Sequence, residues 1–498
     1  MSKVRETEEK PKKRSLTHDG DRYPWIAMGV VLMGTFMVIL DTTIVNVALP
    51  QIGIALDSQS GIEWIVTAYL LAVGIAQPPT GWLADRYGRK RLFIASLFLF
   101  GLGSLLAALS PNLELLVASR VVQGLGGGAL APVGMAMIYE LFPADRRGTA
   151  LGIWGVAAMA APAFGPVVGG YIVTNASWPW LFLINVPIGA IAIIAALRLL
   201  KDTGYKEKRP FDGVGLGLIS VGLVALLLAF SRASDWGWVA TRTVALLAVG
   251  AVFLVVFVLW VRRQSYPLID LTMFRYPIFN LTLGVIGATV IVQFGILVNL
   301  PLVLQTVRGL TALEVGTMLV PMAIAAAITF PLGGRITDRI GPRIPVVIGS
   351  ALLCVSAAIL SRLDITSPIY MIEVALISQG LGFGLSMLPN SVTGLNALPG
   401  RFVAQATAVR QLNVRVMASF GVALLATILA IQLGDMSVTG PEVAGSGAAQ
   451  DAYGTVFTVM AISAGVATAL AFFLPGKERN RQLQAERAEE YTPAAEAL

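Results

Sequence analysis

Fourteen apolar runs, each long enough for a helix to cross a bilayer, constrain this chain more than any other feature. A membrane helix needs about 20 mostly apolar residues. Such runs lie near 25–49, 62–82, 92–110, 114–138, 148–173 and 180–200, then near 213–231 and 243–261. Six more lie near 279–303, 313–334, 344–362, 368–390, 404–432 and 454–474. Composition agrees: 56% of the 498 residues are hydrophobic and 13% charged, where a soluble chain carries about a quarter charged. The expected fold class is all-α integral membrane. The chain is expected to divide into a disordered cytoplasmic tail (1–24), a six-helix bundle (25–200), a linker with two extra transmembrane helices (201–278), a second six-helix bundle (279–475) and a cytoplasmic tail (476–498).

The placement of charge tests this count. An even number of spans puts both termini on one side. If that side is the cytoplasm, 28 of the 36 Lys and Arg fall in cytoplasmic segments, and four, Arg232, Arg242, Arg308 and Arg362, on the other side. This is the positive-inside bias, and removing one span would mix the two sets. The formal charge of +7 is then a topology signal. A nucleic-acid partner is not expected, since aromatic residues do not interleave with the basic ones.

Several chemistries are excluded. The only cysteine, Cys354, sits in an apolar run, and the only histidine, His18, in the N-terminal tail. They cannot form a disulfide, a zinc site or a histidine-based triad, so no metal is expected. The first 22 residues are too polar for a cleaved signal peptide. The glycine run QGLGGGALAP (123–132) lacks a following Gly-Lys-Ser/Thr and lies inside a span, so it is not a phosphate loop. Neither an enzyme nor an ATP-driven pump is expected.

An internal repeat is visible. GWLADRYGRK (81–90) and GRITDRIGPR (334–343) each follow the second span of a six-span block. Gly81, Asp85, Arg86, Gly88 and Lys90 align without a gap with Gly334, Asp338, Arg339, Gly341 and Arg343. Two related halves follow, with the spans at 213–261 inserted between them and a cavity at their interface.

The first of these loops resembles the signature between helices 2 and 3 of the major facilitator superfamily. LDTTIVNVALP (40–50), LLVASRVVQGLGGGALAP (115–132), GPVVGGYIV (165–173) and WPWLFLINVPIG (178–189) resemble its fourteen-helix drug:proton antiporter branch. Two positions depart from that pattern, Ala161 in place of glycine and Pro179 in place of arginine. The resemblance implies the major facilitator fold, two six-helix bundles plus two inserted helices. It implies a monomer driven by the proton gradient without a cofactor, exchanging protons for amphipathic small molecules. It also implies that the fifth span, with Gly165, Pro166, Gly169 and Gly170, belongs to an exporter. Arg120 would assist proton relay or substrate binding. Asp85, Arg86, Arg89 and Lys90, with Gly81 and Gly88, and the second copy's Asp338 and Arg339, would form a conformational latch across the bundle.

The residues themselves point the same way. Asp41 lies about nine residues from the outer end of the first span and Arg120 about six from that of the fourth, roughly 13 and 9 Å deep at 1.5 Å per residue. An ionisable group at such depth faces a partner or a cavity and usually marks an ion pathway. Burial disfavours an ionised carboxyl and a nearby guanidinium favours it, so conformational change can flip its protonation. Asp41 is the candidate proton-binding group, with a structural hydrogen bond as the other reading. Candidate cavity residues are Met33, Met37, Asn46, Gln77, Gln123, Trp154, Gln293, Phe294, Asn299, Gln305 and Arg415. Arg410 is expected to snorkel to the inner surface. The deeper Arg415 disfavours cationic substrates, though substrate charge stays open.

The function these features imply is proton-coupled export of drugs or other amphipathic molecules by alternating access. The alternative is a dedicated exporter of one metabolite, lipid or self-made antibiotic. Arg outnumbers Lys 27 to 9, which suits a GC-rich bacterial genome and a bacterial plasma membrane, with lipids as the remaining partners.

Overall fold

The computed structural model describes residues 22–57, 61–143, 146–201, 210–364, 367–433 and 447–490. Among them there is no strand. The first half contains α1 (Tyr23–Ala55), α2 (Trp64–Ala76), α3 (Thr80–Tyr87), α4 (Arg89–Ala108), α5 (Leu113–Leu141), α6 (Arg147–Asn175), α7 (Trp180–Leu183) and α8 (Asn185–Leu199). The inserted pair is α9 (Gly213–Trp236) and α10 (Thr241–Val261). The second half contains α11 (Pro277–Thr306), α12 (Ala312–Ile340), α13 (Arg343–Leu360), α14 (Ile369–Asn396), α15 (Val403–Leu433) and α16 (Gly447–Ala471), and α17 (Lys477–Glu490) follows.

Helix ends follow local chemistry. Asn112 accepts from Leu115 N at the start of α5, and Thr311 and Glu314 form a capping box at the start of α12. Such caps satisfy the orphan N–H groups of a first turn. Twelve of the described helices are long and apolar enough to cross a membrane. The two other expected crossings are α6, of 29 residues, and α2 continued by α3 after a break at Gln77–Pro79. The sixth span is likewise broken, between α7 and α8 at Ile184. Residues 81–87, read as part of a loop, are helical and belong to α3, and the start of the C-terminal tail forms α17; the N-terminal tail read as disordered lies almost wholly outside the described residues.

The repeat is structural. Gly88 ends α3 at φ +88° and Gly341 ends α12 at φ +89°. Side chains rarely adopt that region, so the same turn is built twice. Glycines of α5 bring it onto the backbone of α2 at Tyr69 and Val73, through Gly124 and Gly128. Gly380 and Gly384 of α14 do the same against Met322 and Thr329–Phe330 of α12. A methyl at any of the four would collide with the facing helix. Small residues let membrane helices approach this closely.

The halves meet at the end that carries the start of α1 and most of the basic residues, called here the basic face. Tyr139 of α5 donates to Asn396 of α14. Gln405 of α15 lies against Gly81. Gly152 and Gly155 of α6 pack on Phe330 and Pro331 of α12. The inserted α9 touches both halves. Arg232 pairs with Glu63 beside α2 at 2.9 Å, and Phe230 stacks on Phe420 of α15 with ring centroids 5.5 Å apart. Asp212 ties down the insertion, accepting from Gly215 N, Trp260 Nε1 and Leu268 N. The outer side of α10 is apolar and exposed at Val252, Val255 and Leu259, as a lipid-facing helix requires.

Candidate functional site

Asp41 sits past the middle of α1 and is 1% exposed. Three side chains from two other helices converge on its carboxylate. Arg120 Nη1 donates to Oδ2 at 2.6 Å, Gln123 Nε2 to Oδ1 at 2.8 Å and Asn185 Nδ2 to Oδ1 at 3.0 Å. Arg120 and Gln123 lie one turn apart on α5, so they share a face, and Asn185 opens α8 just past the break at Ile184.

A second layer holds the donors. Arg120 Nε donates to Ile65 O at 3.1 Å, and its guanidinium lies 4.1 Å above the Tyr69 ring. Gln123 accepts from Arg120 Nη1 and donates to Ser104 Oγ at 2.6 Å. Arg120 and Gln123 are fully buried. A buried charge pair of this kind is tolerated only with close geometry and extra hydrogen bonds; Nη1 and Nε of Arg120 are bonded, while Nη2 has no partner among the described residues.

The glycines of α6 reach the same point of α1. Gly165 lies against Thr43 and Gly169 against the carbonyl of Ile44, while Gly170 faces open space. Only the backbones of Asn46 and Pro166 are described. The carboxylate is thus held by one guanidinium and two amides, beside a helix packed through glycine.

A family profile now decides the class: the Major Facilitator Superfamily matches residues 31–422. The chain belongs to that superfamily. It is therefore a multi-pass membrane transporter and not an enzyme. It is 34% identical over 407 residues to the MFS-type transporter YhcA of Bacillus subtilis, covering 81% of this chain and 76% of that one. It is 32% identical over 403 residues to multidrug resistance protein Stp of Mycobacterium tuberculosis, covering 80% and 75%. The fold matches the proton:xylose symporter XylE at a TM-score of 0.61 and 14% identity, over 93% of this chain and 100% of that chain.

Within this superfamily fold the remaining expected residues separate. Gly81 sits at the contact between the halves, against Gln405. Of the latch charges, Arg89 of α4 forms an ion pair with Glu140 of α5, and Lys90 Nζ donates to Leu197 O at 2.8 Å, both within the first half. Gly88 is the turn described above. Asp85 and Arg86 are partly buried on α3, Asp338 is partly buried and Arg339 exposed at the end of α12.

Of the cavity candidates, Met37 is fully buried and lies next to Gly189 of α8. Asn299 Nδ2 bonds back to Gly295 O in its own helix. Trp154 Nε1 donates to Thr35 at 3.3 Å. Gln293 accepts from Gln379 Nε2 at 3.0 Å, while its neighbour Phe294 is 36% exposed. Gln77 is buried, Met33 partly buried and Gln305 exposed. Arg415 is partly exposed near the middle of α15. Arg410 does not snorkel: it is 5% exposed, donating to Ser391 Oγ and Met135 Sδ where the halves close over it.

Sequence reasoning missed Asn185, Ser104, Tyr69 and Glu140. Asn185 had a signal, since it lies in the quoted segment WPWLFLINVPIG. Ser104 and Tyr69 had none, being ordinary residues of apolar helices.

Proposed function

We propose that this protein exports amphipathic small molecules, drugs among them, in exchange for protons, with Asp41 as the proton-carrying group. The observation that carries this reading is the full burial of the Asp41 carboxylate among Arg120, Gln123 and Asn185. A charge that deep needs a working reason. Protonation would remove the attraction between Asp41 and Arg120, leaving Arg120 to Gln123 and Tyr69. α1 would then move relative to α5, and Gly165 and Gly169 would transmit that movement to α6. The name of the Stp relative, a multidrug resistance protein, supports a drug substrate.

The energy source in this reading is the proton gradient, with no cofactor. The basic face lies in the cytoplasm by the positive-inside bias, which puts both termini there, in a bacterial plasma membrane. In this reading, the halves joined at that face correspond to the outward-facing side of an alternating-access cycle. Each six-helix pair completes its own pathway, so a monomer suffices.

The test uses everted vesicles with a dye that reports the pH gradient, and a panel of cationic, neutral and anionic compounds. Collapse of the gradient by several compounds, lost in Asp41→Asn, is the expected result. Unchanged collapse in Asp41→Asn removes Asp41 from the proton role. Collapse by one compound alone converts the reading to a dedicated exporter.

A further inference from the structure

Two guanidinium groups, of Arg410 and Arg415 on α15, have no carboxylate partner among the described residues. Arg410 bonds only to Ser391 Oγ and Met135 Sδ, and its Nε has no partner among the described residues. Arg415 makes no ion pair or hydrogen bond to any described residue. The deep carboxylate nearest the middle of the bundle, Asp41, is already committed to Arg120. The two cations lie on one helix, five residues and so about 7.5 Å apart along its axis.

Arg415 borders open space. It is the thirteenth residue of the 31 in α15, so it stands well inside the span. From Asn413 to Phe420 every residue of α15 is partly exposed. Eight residues exceed two turns and so include every face of a helix. Yet this stretch is packed: Asn413 donates to Leu283 O of α11, Met417 lies on Gly287 of α11, and Phe420 meets Phe230 of α9. Partial exposure through a packed stretch leaves Arg415 with surface that no described neighbour covers. Tyr69 of α2 is close enough to Arg415 to interact with it electrostatically, though its hydroxyl lies against Gly127 of α5. The Tyr69 hydroxyl is buried and has no hydrogen-bond partner among the described residues.

An uncompensated guanidinium inside a membrane protein is costly unless something of opposite charge meets it. We infer that the space beside Arg415 of α15 binds the anionic headgroup of an amphiphile, held by Arg415 and, when the basic face opens, by Arg410. The inference rests on the exporter reading above and names its substrate class. The chemistry is a carboxylate, sulfonate or phosphate ester on an apolar body. Arginine's planar fork suits such groups. Asp41 and Arg120 are fully buried, so proton and anion bind at separate places and are coupled by movement of the halves. An anion leaving a negative cytoplasm also moves with the membrane potential.

The test measures equilibrium binding to the full-length protein in phosphatidylcholine nanodiscs, with no gradient. The probes are dansylaminoundecanoate, its primary amide and its trimethylammonium analogue, which share one apolar body. A charge-assisted hydrogen bond predicts that the carboxylate binds about ten-fold or more tighter than the amide. Arg415→Gln should bring the carboxylate to the level of the amide, and Arg415→Lys should keep part of the difference. The amide or the ammonium binding as tightly as the carboxylate to the wild type overturns the inference. So does an Arg415→Gln variant that keeps the preference. The wild-type comparison needs no variant to fold. Adding phosphatidylglycerol identifies the source: competition with the carboxylate makes the anion a lipid, and no competition makes it a soluble amphiphile. Because no gradient is used, a failure of proton coupling in Asp41→Asn vesicles leaves this result standing, and the reverse holds too.

Discussion

Gln293 of α11 and Gln379 of α14 hold one another at 3.0 Å, on the helices that correspond by repeat position to α1 and α5. In the first half those helices carry Asp41 and Arg120, 2.6 Å apart. The fold thus builds one buried polar crossing twice, ionic in one half and neutral in the other. Only the ionic copy can exchange a proton. Gln293→Leu or Gln379→Leu should therefore leave substrate-driven collapse of the pH gradient intact, at a stability cost of about 1 kcal/mol for a lost hydrogen bond. Asp41→Asn should abolish the collapse. Loss of coupling in a glutamine variant would move the proton path into the second half.

The ionic pair should be strongly non-additive. Removing one partner of a buried pair leaves an uncompensated charge and costs about 3–5 kcal/mol. Arg120→Met should lower the thermal unfolding temperature in detergent markedly. The double variant Asp41→Asn/Arg120→Met should recover much of that loss, since no charge remains buried. A double variant as unstable as the sum of the singles would show that the two residues act independently.

The sequence displays the helix count and the repeat because lipid imposes them. A span has a fixed length, and the basic residues must stay at one end of it. Asp41 and Arg120 were visible for the same reason, since a charge inside an apolar run has few explanations. Partners were harder. Nothing in the chain says that Glu140, at the end of α5, meets Arg89, at the start of α4, because that depends on how two helix ends approach. Asn185 is legible only as part of a motif. Arg410 reads as a snorkelling residue on an isolated helix, and it is the closure of the two halves over it that buries it.

Glycine at 165 and at 170 should behave oppositely on substitution. A Cβ at Gly165 would strike the Thr43 side chain, while one at Gly170 meets nothing within 4 Å. Gly165→Ala should cost about 1–3 kcal/mol as overpacking and slow transport, and Thr43→Gly should restore part of the rate. Gly170→Ala should be neutral or stabilising by up to about 1 kcal/mol, since alanine favours helix over glycine. Transport rates and thermal unfolding of the three variants check this. Equal damage at both positions would show that backbone freedom, and not the contact with α1, is what these glycines supply.

The pair joining the insertion to the first half should add a small acid-sensitive term. The Glu63 backbone N–H and the Arg232 guanidinium hold the Glu63 carboxylate below the usual range. A depressed carboxylate contributes stability above its unfolded value, near 4.3, and loses it as pH falls through the lower folded value. Glu63 is 46% exposed, so the term is at most about 0.5 kcal/mol. Glu63→Gln should lower stability slightly at neutral pH and match the wild type at the acid end, as read by unfolding across that range. A constant difference at every pH would assign the effect to packing.

Tyr139 and Asn396 should set how firmly the basic face is closed. Their hydrogen bond crosses between the halves in full burial, so it exists only while that face is shut. Tyr139→Phe leaves the Asn396 oxygen without its donor, a cost of about 1–3 kcal/mol, borne by the closed state alone. The closed-to-open ratio should fall by roughly 5- to 150-fold. Spin labels at Tyr87 and Ile340, exposed at that face on opposite halves, would report the change as a distance distribution. In Tyr139→Phe a longer component should grow at the expense of the short one, and should shrink again when substrate or pH favours closure. A distribution identical to the wild type would mean that packing of Gly152 and Gly155 on Phe330 holds the face shut without help from this bond.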